Sequence, residues 1–121
     1  MAMELCLNND DLKEISSDSL QTFEKEIARI PSDLCAPFYV AAGRLESQFL
    51  VIYRMVVLCT KKEDDVEVVA QWWKSMVGIC DEFATHLEGL IKQHPDCGVA
   101  YYRDRFLDIR NTCLRLQEMH S

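Results

Sequence analysis

Glycine and proline are scarce in this 121-residue chain, at four and three. A turn-rich β fold needs more of both, so long helices are favoured. Histidine is scarce too, with only His86, His94 and His120. Positive charge is outweighed: 13 Lys and Arg stand against 20 Asp and Glu, a formal net charge of −7. That balance opposes a broad surface for phosphate backbones, so nucleic acid is not an expected partner. No apolar run reaches the length of about 18 residues that a membrane span requires. The opening MAMELCLNNDD has no basic stretch followed by an apolar core, so no secretory leader is expected. Neither CxxC, a glycine-rich phosphate loop, GxSxG nor HExxH occurs.

What is present describes one soluble domain, 49% hydrophobic and 27% charged. The charge is uneven. Residues 1–36 hold eight acids and three bases, and residues 65–95 hold five and two. Residues 37–64 lean the other way, with three acids and four bases. Six cysteines, at 6, 35, 59, 80, 97 and 113, are widely spaced, and Cys59, Cys80 and Cys113 fall on apolar helical stripes. This pattern predicts buried free thiols in a reducing cytoplasm rather than a disulfide framework.

Four helices follow from the periodicity. Asp18 as N-cap with Gln21 behind it predicts a first helix over about Ser19–Ile30, carrying the stripe Leu20, Phe23, Ile27 and Ile30. Residues 1–17 form a separate N-terminal segment with at most a short turn of helix near Asp10–Ile15, and residues 18–121 form the bundle. The second helix is expected from about Pro37 to Lys61 on the seam Phe38, Ala42, Leu45, Phe49, Ile52, Val56 and Cys59. The third spans about Asp65–Gln93, with Val69, Trp73, Met76, Cys80, Phe83, Leu87 and Leu90 inside. The fourth starts at Cys97 or Gly98, after an Asp96 cap, and runs to about Met119. Its seam is Val99, Tyr102, Phe106, Ile109, Cys113 and Leu116. Short linkers make the neighbours antiparallel. The expected fold is an all-α, up-down, four-helix-bundle-like domain with three long helices and a shorter N-terminal one.

Candidates for chemistry are thin. Glu82 and His86 lack the spacing and the second pair of a di-iron bundle. His94 and Cys97 lack further zinc ligands. Metal ligands, catalytic residues and cofactors are therefore not assigned. Arg115 and His120 form R-x4-H, which over six residues resembles the RNase motif of HEPN domains, themselves helical bundles. The resemblance implies an RNA-cleaving pair, but Leu116 stands where that family often has a polar residue. The expected role of Arg115 is to complement the helix C-terminus. Arg103, Arg110 and Gln117 are seven apart and share one line on the last helix. The two arginines are expected either to pair with carboxylates or to bind an anion. Trp72 and Trp73 flank the inner stripe and are expected in the core.

The stretch FLVIYRMVVLC, residues 49–59, has ten apolar or aromatic residues and one arginine, Arg54. The seam accounts for Phe49, Ile52, Val56 and Cys59. Leu50, Val51, Val57 and Leu58 surround Arg54 away from the seam. A helix apolar nearly all round is usually covered all round. The cover would be the N-terminal segment, a second copy or another protein, with Arg54 pairing to an acid on that layer. The leading expectation is thus a protein-interaction module (homodimer, adaptor or small subunit) using Leu50, Val51, Arg54, Val57 and Leu58. An anion-binding or hydrolytic site inside the bundle is the alternative, and an enzyme is the less favoured class.

Overall fold

The structure, a computed structural model, describes residues 8–120. Four α-helices account for most of them: α1 (Asn9–Ile27), α2 (Ala36–Lys62), α3 (Val66–Gln93) and α4 (Ala100–His120), with a 3-10 turn over Pro95–Cys97. The all-α bundle expected from the sequence is the observed fold.

Contacts between helices fix the topology. Arg103 meets Glu88, and seven residues further along α4 Arg110 meets Asp81, seven residues earlier on α3, so α3 and α4 are antiparallel. The same logic runs α2 against α3, where Phe38 stacks on His94 and Phe49 meets Phe83. It runs α2 parallel to α4, where Tyr39 meets Tyr102 and Glu46 meets Arg105. Helix α1 lies parallel to α3: Ser75 Oγ donates to Asn9 Oδ1 at 2.8 Å, and Glu24 lies 3.7 Å from His86 Nε2. Helices α2 and α3 are each packed by both α1 and α4, whereas α1 and α4 share no extensive contact.

The middle of the core is three phenylalanines, Phe49, Phe83 and Phe106, one from each of α2, α3 and α4. All three are fully buried. Their ring centroids lie 5.2–5.7 Å apart in edge-on pairs, the arrangement that sets the positive edge of one ring on the negative face of the next. Trp72 and Trp73 are both buried, as their helical positions imply.

Three boundaries differ from the sequence expectation. Helix α1 begins at Asn9, not Ser19, and runs unbroken through the expected break at residues 17 and 18. Its cap is Asn8, whose Oδ1 accepts from Asp11 N at 2.8 Å while Asp11 Oδ2 accepts from Asn8 N. The inner stripe is continuous from Leu12 through Ser16 to Leu20 and Phe23. Ser16 occupies a core position because its hydroxyl donates to Leu12 O at 2.7 Å, which removes the cost of burying it. At its other end α1 stops at Ile27, three residues short of Ile30. Helix α4 starts at Ala100 because Gly98 takes a left-handed φ of 74°, which a helix cannot contain.

The cysteines require a correction. Cys35 and Cys97 form a disulfide, with their Cα atoms 4.7 Å apart and a sequence separation of 62. The up-down topology explains the meeting. The α1–α2 linker and the α3–α4 turn lie at the same end of the bundle, so distant positions become neighbours there. Cys59, Cys80 and Cys113 are buried free thiols, as their stripes imply. A persistent bridge belongs to oxidising surroundings, so this pair argues against the reducing cytoplasm expected from the spacing. Cys6 lies outside the described residues. Among the described residues no helix is long and apolar enough to cross a membrane.

Candidate interaction face

Helix α2 presents two seams. The inner one is Phe38, Ala41, Ala42, Leu45, Phe49, Ile52, Val56 and Cys59, all buried. The outer one is Val40, Arg44, Ser47, Val51, Arg54 and Leu58. Spaced alternately four and three apart, these residues fall within about 80° of arc. Val40 is 52% exposed, and Val51 and Leu58 are each 58% exposed. Removing three such side chains from water would stabilise an assembly by about 1 kcal/mol each.

Of the residues singled out from sequence, Leu50 and Val57 are half-buried and pack against the core from the flank. Val51, Arg54 and Leu58 point outward together. Arg54 makes no ion pair among the described residues. Helices α1 and α4 pack on either side of α2 and leave this outer stripe open. Val40 was not among the sequence candidates. Its signal is the heptad phase: it precedes Val51 by eleven residues, three helical turns.

Charge on α2 is one-sided. The helix contains Arg44, Arg54, Lys61 and Lys62 but one carboxylate, Glu46. Glu46 is mostly buried and is held by Arg105 of α4, off the outer stripe. Arg44 reaches sideways to Glu26 of α1 and is itself still exposed.

The arginine line of α4 is engaged with carboxylates. Arg103 Nη1 lies 2.5 Å from Glu88 Oε1, and its Nε donates to Asp104 Oδ1 at 3.0 Å. These carboxylates hold the guanidinium above its ordinary range, the Glu88 hydrogen bond first. Arg110 Nε lies 2.5 Å from Asp81 Oδ1. Arg115 is exposed, and its Nη2 donates to Thr112 Oγ1 at 3.4 Å.

Two of the buried thiols form a pair. Cys80 of α3 and Cys113 of α4 face each other in the antiparallel register and are fully buried. The hydrogen bond to Cys113, then burial, push the Cys80 thiol far up, so it stays protonated at neutral pH. Among the described residues no group of three or more His, Cys, Asp or Glu is arranged to hold a metal ion. A cleft of about 890 Å³ lies where the start of α1 meets the α2–α3 linker. Its polar lining includes Asn8, Glu63, Asp65, Glu67 and His120, with Trp72 forming part of the apolar wall. Among the described residues that line it there is no Ser, Thr, Cys or Lys to serve as a nucleophile.

Fold and surface together define a small acidic four-helix bundle with an uncovered basic-apolar stripe on α2. Compared with protein-family models, curated proteins and solved structures, the chain shows no match.

Proposed function

We propose that this chain is a protein-interaction module that binds through the outward face of α2. The observation that carries the reading is the single line of Val40, Val51 and Leu58, each more than half exposed, interleaved with Arg44 and Arg54. Monomeric surfaces scatter such residues singly. Here they recur at helical spacing along one ridge, which is how one helix is recognised by another. The internal anion site has less support, because Arg103 and Arg110 are each engaged by carboxylates. The bridged Cys35 and Cys97 suit a module working where disulfides persist.

Position-specific photo-crosslinking tests the reading. A photoreactive residue replaces Val51 in the full chain, and the control replaces Thr85, exposed on the outer side of α3. The expected outcome is one dominant adduct at position 51 and none at 85. Its partner is identified by peptide mass spectrometry and rebinds the chain in purified form. An adduct of twice the 14.0 kDa chain mass identifies a second copy. No adduct at 51, or equal labelling at both positions, overturns the proposal.

A further inference from the structure

Resting on that reading, we infer that the occupant of the α2 face is an acidic amphipathic helix: a partner segment with an apolar stripe bordered by carboxylates. The argument is charge complementarity. The outer stripe carries Arg44 and Arg54 and no carboxylate of its own; Glu26 of α1 reaches Arg44 from the side and leaves Arg54 unanswered, and Lys61 and Lys62 extend the positive run at the helix C-terminus. This is a local inversion on a chain of net charge −7. Arg54 has no counter-charge within the described residues, and the one carboxylate of α2 is already committed to Arg105. From Val40 to Leu58 the stripe extends about 27 Å, the length of a helix of about 18 residues.

The same charges weigh against two other occupants. A second copy docked antiparallel about Val51 sets Arg54 opposite Gln48 and within one helical turn of Arg44 of that copy. Each Arg54 then approaches the Arg44 of the other copy, and because Glu26 of α1 answers only Arg44, Arg54 gains no counter-charge, so the juxtaposition does not favour association. An anionic bilayer would meet α1 as well, because α1 packs beside α2. Helix α1 carries Asp10, Asp11, Glu14, Asp18, Glu24 and Glu26 against Lys13 and Lys25. A membrane surface is broad and would be repelled there, whereas a single partner helix can lie along α2 alone.

The test uses the full oxidised chain and two hydrocarbon-stapled 18-residue peptides. Both carry leucines at positions 1, 4, 8, 11, 15 and 18; one is flanked by glutamates and the other by lysines. Binding is read by fluorescence anisotropy at low and high salt. The expected result is about tenfold tighter binding of the glutamate peptide at low salt, with the preference shrinking as salt rises. Arg54→Glu reverses the preference, and Val51→Glu abolishes binding of the glutamate peptide. Both variants alter exposed residues, and far-UV circular dichroism checks that they fold. Equal binding of the two peptides, or binding of neither, overturns the inference. So does preferential binding to phosphatidylserine vesicles, which assigns the face to a membrane. A dimer in sedimentation that Leu58→Glu dissolves assigns it to a second copy and also overturns the inference. If the glutamate peptide fails while the position-51 crosslink still captures a partner, the charge class of the partner falls and the interaction face stands. If both fail, both fall.

Discussion

Three glycines inside helices allow a sharp test of the packing. In α3, Gly78 and Gly89 face open space: a Cβ added at either meets nothing within 4 Å. In α2, a Cβ at Gly43 meets the Oη of Tyr102 at 2.9 Å and its Cζ at 3.2 Å. Alanine in a helix interior is worth about 1 kcal/mol over glycine. Gly78→Ala and Gly89→Ala therefore stabilise the chain by about 1 kcal/mol each, which for this length raises the melting temperature by about 4 °C per substitution. At Gly43 the same propensity gain is opposed by overpacking of about 1–3 kcal/mol. Tyr102 cannot simply swing aside, because its ring lies between Tyr39 and Tyr101, 5.0 Å from each. Gly43→Ala is expected to destabilise by about 1 kcal/mol net. The assay is reversible urea unfolding followed by far-UV circular dichroism with the Cys35–Cys97 bridge intact. An unchanged m-value shows that only stability moved. The two outer positions are far from shared partners, so their effects add. Loss of stability at Gly78 or Gly89 would refute the claim that they face solvent. Equal stabilisation at Gly43 would refute the close approach of α2 and α4.

The same packing sets other outcomes. Cys35→Ser, or reduction, releases a closure spanning 62 residues; on the chain-entropy account it costs about 4 kcal/mol, read as a fall in the urea midpoint under reducing conditions. Peptide mapping after alkylation should leave Cys35 and Cys97 unmodified until reductant is added. Leu58→Glu should change stability by no more than about 0.5 kcal/mol, because the side chain is exposed. Phe83→Ala, at the centre of the aromatic cluster, should cost about 3–5 kcal/mol by the same measurement. Tyr102 is pushed up to about 12, first by its hydrogen bond with Tyr39 and then by burial. The folded value lies above the ordinary 10.0, so this contribution is whole below about pH 10 and is lost as pH rises through about 12. Ultraviolet titration of phenolate formation, compared with Tyr102→Phe, measures it.

The seams were legible because period 3.6 is written directly in the apolar positions. Phe49, Phe83 and Phe106 each sit on the stripe that predicts their burial. Where polar residues interrupt that code, the reading broke down. Ser16 hides the inner face of the first half of α1, since nothing in the sequence says that its hydroxyl is satisfied by Leu12 O. Gly98 falls outside the helix that periodicity predicts because its left-handed φ depends on the turn around it, not on its neighbours in sequence. The bridge between Cys35 and Cys97 is a property of which loops share an end of the bundle, and spacing carries no trace of that. On the candidate face the phase of Val51, Arg54 and Leu58 was legible, being the reverse of the inner seam. That Leu50 and Val57 turn partly inward depends on how closely the flanking helices approach. The acid chosen by each arginine of α4 likewise depends on the α3–α4 register, which sequence periodicity leaves free.

The Cys35–Cys97 bridge also divides the molecule. Helices α2 and α3 lie wholly inside the covalent ring it closes, and α1 and α4 lie wholly outside. If the two ends of the chain are pulled apart, tension passes from residue 35 across the sulfur atoms to residue 97. Only residues 1–34 and 98–121 can be drawn out, roughly 200 Å of contour against roughly 420 Å for the reduced chain. The helix that carries the exposed stripe bears no tension while the bridge holds. A single reductant molecule thus separates two mechanical regimes, one in which α2 is bypassed by the load and one in which it is in the line of pull.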